Sequence, residues 1–321
     1  MKAFRVALAA LGALTLSAPA TADEWPSRPV RVVNTFAAGG TADVLTRIVA
    51  DHLSTAFKQQ FFVETRPGAG GAIGVKSVVD SPPDGYNFVL TNMTQLVLLP
   101  IGNPKLGYDP KRDLITMAYV AGSPLLLSVN AKSGIKTLKE FIARAKKSDK
   151  PLTYSSSGLG SSGHLVGEAF GQLADIRVEH VPYKGASQCL TDLLAGHIDF
   201  SSQTVSSTAA YVRSGTLLAL AHAAKERLPD FPDVPTFKEL GYDLVATIWF
   251  SFSGPAGLPN DIVQKVNREI VGAMAKPEMQ QRLRRDGLVT DLMSVDEMQK
   301  FIDAETVRWK PVVERIGVGQ R

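Results

Sequence analysis

The chain runs to 321 residues, enough for two ordinary domains, with 45% hydrophobic residues and a formal net charge of only +4. Its Lys and Arg are scattered without interleaved aromatics, which excludes a nucleic-acid stripe, and its single cysteine, Cys189, excludes an internal disulfide. The five histidines show no metal-ligand spacing, so neither a metal nor a cofactor is expected.

In chain order, residues 1–22 read as a secretory leader. Lys2 and Arg5 give a basic start, residues 6–16 an apolar core too short to span a bilayer, and Ala20-Thr21-Ala22 a small-x-small cleavage site. Cleavage removes two cations and no acid, lowering the charge to +2, and sends a soluble protein to the periplasm.

Residues 30–43 carry the strongest local signal: an apolar strand (30–36), a glycine turn, and a helix (42–57) with Thr41 expected as its N-cap. Such a turn aims unpaired backbone N–H groups and the positive end of the helix dipole at one spot, which suits an anion. Strands then follow at 61–64, 88–91, 125–129, 152–155, 178–183, 198–201 and 217–222. Helices are expected at 73–79, 138–146, 165–173, 188–195 and 207–213, an alternation that predicts parallel sheets covered by helices. A second glycine turn, residues 154–164, precedes the helix at 165. From residue 260 onward the pattern is helical: 262–274, 277–286 and 295–309.

Two extended stretches, 117–128 and 245–257, read as crossings between domains. They imply a discontinuous first domain (23–123 and 249–321) and an inserted second one (124–248). Ligands of open α/β sheets bind beyond the carboxyl ends of the strands, where both glycine turns lie.

Eight motifs now fall in series: Phe36-Ala-Ala-Gly-Gly40, Glu64-Thr-Arg-Pro-Gly-Ala-Gly-Gly71, Pro83-Asp-Gly-Tyr86, Tyr154-Ser-Ser-Ser-Gly-Leu-Gly-Ser-Ser-Gly-His164, Val181-Pro-Tyr-Lys-Gly185, Thr191-Asp-Leu-Leu-Ala-Gly196, Leu228-Pro-Asp-Phe-Pro-Asp-Val-Pro-Thr236 and Gly254-Pro-Ala-Gly257. With them, nearly all of the mature chain resembles the extracytoplasmic substrate-binding proteins of tripartite tricarboxylate transporters, the Bug receptor family. The resemblance implies an α/β fold, a two-domain periplasmic binding protein of type II (Venus flytrap). Each domain is then a sheet flanked by helices, and two crossover strands join them. It implies a non-enzymatic, monomeric receptor that closes on a small organic carboxylate and hands it to membrane permease subunits. Carried onto this chain, it assigns Ala38, Gly39, Gly40 and Thr41 from one domain, and Ser155, Ser156, Ser161, Ser162 and His164 from the other. Phe36, Asn92, Tyr183, Gln203 and Thr204, near strand ends facing the same cleft, complete the candidate set.

One departure bears on the cargo. This family often carries an acid where this chain has Gln203, and an amide supplies no charge for a ligand ammonium. A non-amino dicarboxylate or an aromatic acid is therefore expected. Among competing readings, Gly158-Leu-Gly-Ser-Ser-Gly163 has the form of a dinucleotide fingerprint. Glu179, however, falls inside a strand rather than at its end, and the chain is exported. An exported hydrolase using Ser155–Ser162 lacks a Gly-x-Ser-x-Gly elbow. A signalling receptor would use the same clamp. Asp43 and Asp192 are read as complementing helix dipoles or binding N–H groups, Cys189 as a buried thiol, and Trp249 and Phe250 as packing at the second crossing.

Overall fold

The computed structural model describes residues 25–317, so the expected leader lies outside the described residues. The fold is mixed α/β, built on one curled sheet in two halves. In the first half, strands β1 (Val30–Asn34), β2 (Phe61–Thr65) and β3 (Asn87–Asn92) run parallel in the order β2-β1-β3. Strand β1 is central, and its Val30, Val32 and Val33 are wholly buried, as an apolar run with helices on both faces should be. In the second half, β5 (Leu152–Ser156), β6 (Val178–Pro182) and β7 (Phe200–Thr204) are parallel to one another, while β8 (Leu217–His222) lies on the other side of β4.

Two long strands join the halves. Strand β4 (Leu114–Asn130) pairs antiparallel with β9 (Thr247–Pro255) from Leu114 to Pro124, then with β7 and β8 from Leu125 onward. The sheet is thus not purely parallel, a correction to the sequence reading. Residues 117–128, read as a crossing, lie within one continuous strand that β9 pairs as far as Pro124, and Gly122 and Val289 exchange backbone hydrogen bonds on its other side.

Helices α1 (Thr41–Phe57), α2 (Ala72–Val79), α3 (Leu99–Gly102) and α4 (Pro110–Asp113) belong to the first half, and α5 (Leu138–Lys147), α6 (Ser162–Ala174), α7 (Ala186–Ala195) and α8 (Val205–Arg213) to the second. The chain then returns to the first half with α9 (Asn260–Ala275), α10 (Pro277–Arg285) and α11 (Val295–Ile316). A capping box between Ser294 and Glu297 starts α11, which passes through Pro311 rather than ending at 309. A π-helical turn, Thr94–Leu98, leads into α3 and is absent from the sequence reading. Strand β7 begins and ends later than read. The polar Ser201-Ser-Gln-Thr204 belongs to it and is buried throughout.

Helix α11 braces the junction. Glu305, 8% exposed, accepts hydrogen bonds from the indole N–H groups of Trp249 in β9 (3.0 Å) and Trp309 (3.2 Å). Its other oxygen takes Arg308 at 3.1 Å, and Arg308 also reaches the carbonyl of Val245, just before β9.

Candidate functional site

Strands β1, β3, β5, β6 and β7 each end in a turn that opens a helical segment, and all five turns meet at one place between the sheet halves. They line a half-open cavity of about 440 Å³ of empty volume, the space at its mouth included.

In the first turn Gly39 takes a positive φ (+86°), and Gly40, not Thr41, is the N-cap of α1, with no side-chain cap. The reason is that Thr41 turns its hydroxyl across the cleft instead, to Thr204 Oγ1 at 2.8 Å and Ser206 Oγ at 3.1 Å. Asp43 is buried under the turn. Its carboxylate accepts the Gly39 N–H at 3.1 Å and pairs with Arg47 at 3.1 Å, which fixes the loop. The first N–H groups of α1 are left without an intrahelical or side-chain acceptor and border the cavity at Gly40, Thr41 and Ala42.

After β6, Gly185 is the N-cap of α7, again with no side-chain cap, and Ala186 faces the cavity. The two uncapped helix starts lie close together: a methyl group built on Gly40 would stand 3.4 Å from Ala186 Cβ. The turns also clasp each other through Ala37 N–H to Lys184 O (3.0 Å) and Ser187 Oγ to Ala38 O (2.9 Å).

The other turns satisfy themselves. Ser161 caps α6 by accepting the His164 N–H, and Thr204 caps α8 by accepting the Ser207 N–H. Asn92 Oδ1 accepts the Thr94 N–H at 2.8 Å, and Thr94 Oγ1 bridges the cleft to Ser162 Oγ at 3.1 Å.

Of the sequence candidates, Phe36, Gly40, Thr41, Asn92, Ser161, Ser162, Gln203 and Thr204 line the cavity. Ala38 and Gly39 sit on the exposed rim of the first turn. Ser155, Ser156 and His164 are buried outside the lining. Ser155 bonds Ser201. His164 accepts the Gly160 N–H at Nδ1 and stacks on His180 with ring centroids 3.9 Å apart. Tyr183 turns aside to Asp192, 2.5 Å away. Gln203 is held by Ser157 (3.0 Å) and by the Cys189 thiol (3.2 Å).

The sequence reading missed Ala42, Thr94, Leu125, Ser157, Gly163, Ala186, Ser202 and Ile248 as lining, and placed Phe250 in packing alone. Alternation along β9 separates the last case: Ile248 and Phe250 face the cavity while Trp249 faces α11.

No lining residue is ionisable, so any charge recognition falls to backbone N–H groups, amides and hydroxyls. Burial and the neighbouring His164 push the His180 imidazole down to about 3, and burial pushes the Cys189 thiol up to about 12. Ser156 lies 2.6 Å from His180 Nε2, but it is wholly buried and neither residue touches the cavity. That pair is therefore ill placed to attack a bound ligand.

Comparison with known proteins gives a consistent result. Residues 45–318 match the model of the tripartite tricarboxylate transporter family receptor. The chain is 32% identical to the protein BugT of Bordetella pertussis, over 94% of this chain and 93% of that one. An R. palustris protein whose structure holds adipate is 30% identical with a TM-score of 0.88, covering 92% of this chain and 99% of that one. MatC of Rhodopseudomonas palustris, with bound malate, is 27% identical with a TM-score of 0.85, covering 90% and 100%.

Proposed function

The chain belongs to the tripartite tricarboxylate transporter receptor family, a family of periplasmic solute-binding proteins, and on that premise we propose that it captures a small organic carboxylate lacking an amino group and presents it to a membrane permease. The observation that carries this reading is the meeting of two uncapped helix starts, α1 and α7, one from each half of the sheet, over a cavity without ionic side chains. Each start offers roughly half a positive charge and free N–H donors. Together they offset a carboxylate without an Arg or Lys, and only when the halves are closed. Binding then selects the closed form, because the full donor set exists only there.

Here residues 23–123 with 249–321, and residues 124–248, act as the two lobes, with β4 and β9 as the connection. An ammonium group finds no carboxylate in the lining, which supports a non-amino cargo. No helix among the described residues is long and apolar enough to cross a membrane, in keeping with a receptor that works beside its permease.

The test is a thermal-shift screen of the purified protein against mono-, di- and tricarboxylates, aromatic acids and acidic amino acids, with calorimetry on the hits and chemical analysis of the recovered ligand. Binding of a non-amino acid, recovered unchanged, is the expected result. Preference for aspartate or glutamate, or consumption of the ligand, would contradict it.

A further inference from the structure

We propose that the cargo is a singly charged carboxylic acid with an apolar body, and that this cavity discriminates against a second carboxylate. The proposal rests on the carboxylate reading above and narrows it.

The anion end is defined by more than the helix starts. Asn92 is 4% exposed, its Oδ1 is taken by the Thr94 N–H, and its Nδ2 has no hydrogen-bond partner among the described residues and belongs to the cavity lining. Ser202, 3% exposed and also lining it, has a hydroxyl with no hydrogen-bond partner among the described residues. Two donors on buried residues, open to the cavity and unpartnered among the described residues, share its lining with the two uncapped helix starts and together supply an anion position. Donors that lose water as a ligand enters need an acceptor in its place, and a ligand carboxylate oxygen is their natural complement.

The rest of the cavity is a different environment. Leu125 in β4 and Ile248 and Phe250 in β9 give the lining an apolar wall, to which Phe36 at the end of β1 adds a fourth apolar side chain. Most other polar side chains in the lining are already bonded to one another, in the pairs Thr41–Thr204, Thr94–Ser162 and Ser157–Gln203. A second carboxylate would either break these pairs or lie uncompensated against the wall, and a buried unpaired charge is strongly disfavoured. The flanking ionic groups do not change this. Asp43 is committed to Gly39 and Arg47, and the exposed Lys184 is outside the lining. The likeness to proteins holding adipate and malate supports the carboxylate end; it is the distal end that this lining fits to carbon.

The experiment is titration calorimetry of the purified protein with three acids of one six-carbon chain: hexanoate, adipate monomethyl ester and adipate. Chain length stays fixed while the distal end steps from apolar to polar to charged. Hexanoate and the half-ester are expected to bind at least about tenfold more tightly than adipate. Adipate binding as tightly as the half-ester would overturn this proposal and leave the carboxylate reading standing. Silence from all three, and from benzoate and terephthalate as a second matched pair, would overturn both. Ile248→Lys supplies a cation to the wall and is expected to reverse the order of adipate and hexanoate, with a melting curve confirming the fold. An unchanged order in the folded variant would contradict the placement of the distal end.

Discussion

At the scale of single residues, several side chains of the site region fix backbone. Asp43 holds Gly39, Asn92 holds Thr94, and His164 holds Gly160, each by accepting an N–H. His180 sits beneath this layer and has a consequence for pH. Its folded-state value, about 3, lies far below the ordinary 6.5, so above pH 6.5 the ring is neutral whether folded or not. As the pH falls below 6.5 the unfolded chain takes up a proton that the folded protein refuses. Stability is then lost progressively toward pH 3, at up to about 1.4 kcal/mol per pH unit. Burial lowers His222 in the same direction. Denaturant melts from pH 7 to pH 5 are expected to show this decline, and His180→Asn to flatten it; an equal slope in the variant would remove His180 from the account.

At the scale of elements, the strand-turn-helix of β1 and α1 was legible because an apolar run, a glycine pair and a helical stripe coincide within 30–57. The jaw at α7 was not. Gly185 and Ala186 carry no polar side chain, and what they bring to the cavity is a backbone N–H that no residue type announces. The Ser-rich turn before α6 drew attention through its side chains, yet Ser155 and Ser156 spend theirs on neighbouring buried groups. Strand β7 was read short because a polar tetrad breaks the apolar pattern; it pairs with β4 and faces a cavity, the circumstance in which a buried strand keeps polar residues. Pro311 hides a helix end, because a proline inside a helical pattern reads as its stop. The brace at Glu305 belongs to this scale too. Glu305→Ala strands two buried indole N–H groups, and chemical denaturation is expected to show a loss of about 3 kcal/mol; a loss below about 1 kcal/mol would mean that α11 does not brace the junction.

At the scale of the whole molecule, the two halves of the sheet touch through their turns, and one close approach is Gly185 against Ala37. A methyl group on Gly185 would come within 2.9 Å of both the Ala37 nitrogen and its Cβ, so only glycine permits this approach. Gly185 itself is extended, so Gly185→Ala leaves its own backbone unstrained and acts only across the cleft. The variant is expected to keep its melting temperature, to give a larger radius of gyration by small-angle scattering in the presence of ligand, and to bind at least about tenfold more weakly. Full compaction with ligand would show that closure does not depend on this contact. The spread of the lining over both halves of the sheet also explains why the cavity is only partly legible in the sequence. Its wall joins Phe36, Leu125 and Ile248, residues far apart in sequence that only the folded sheet brings together.

If backbone N–H groups at two helix starts hold the carboxylate, deleting one of them weakens binding, and Ala186→Pro deletes one. Proline at the first helical position keeps the helix but deletes the N–H, while Ala186→Val adds comparable bulk and keeps it. Calorimetry with the best-binding acid of the panel should show affinity falling about tenfold or more for the proline variant, with much less change for valine and similar melting temperatures for both. Equal affinity in the proline variant and the parent would contradict that role for the N–H groups.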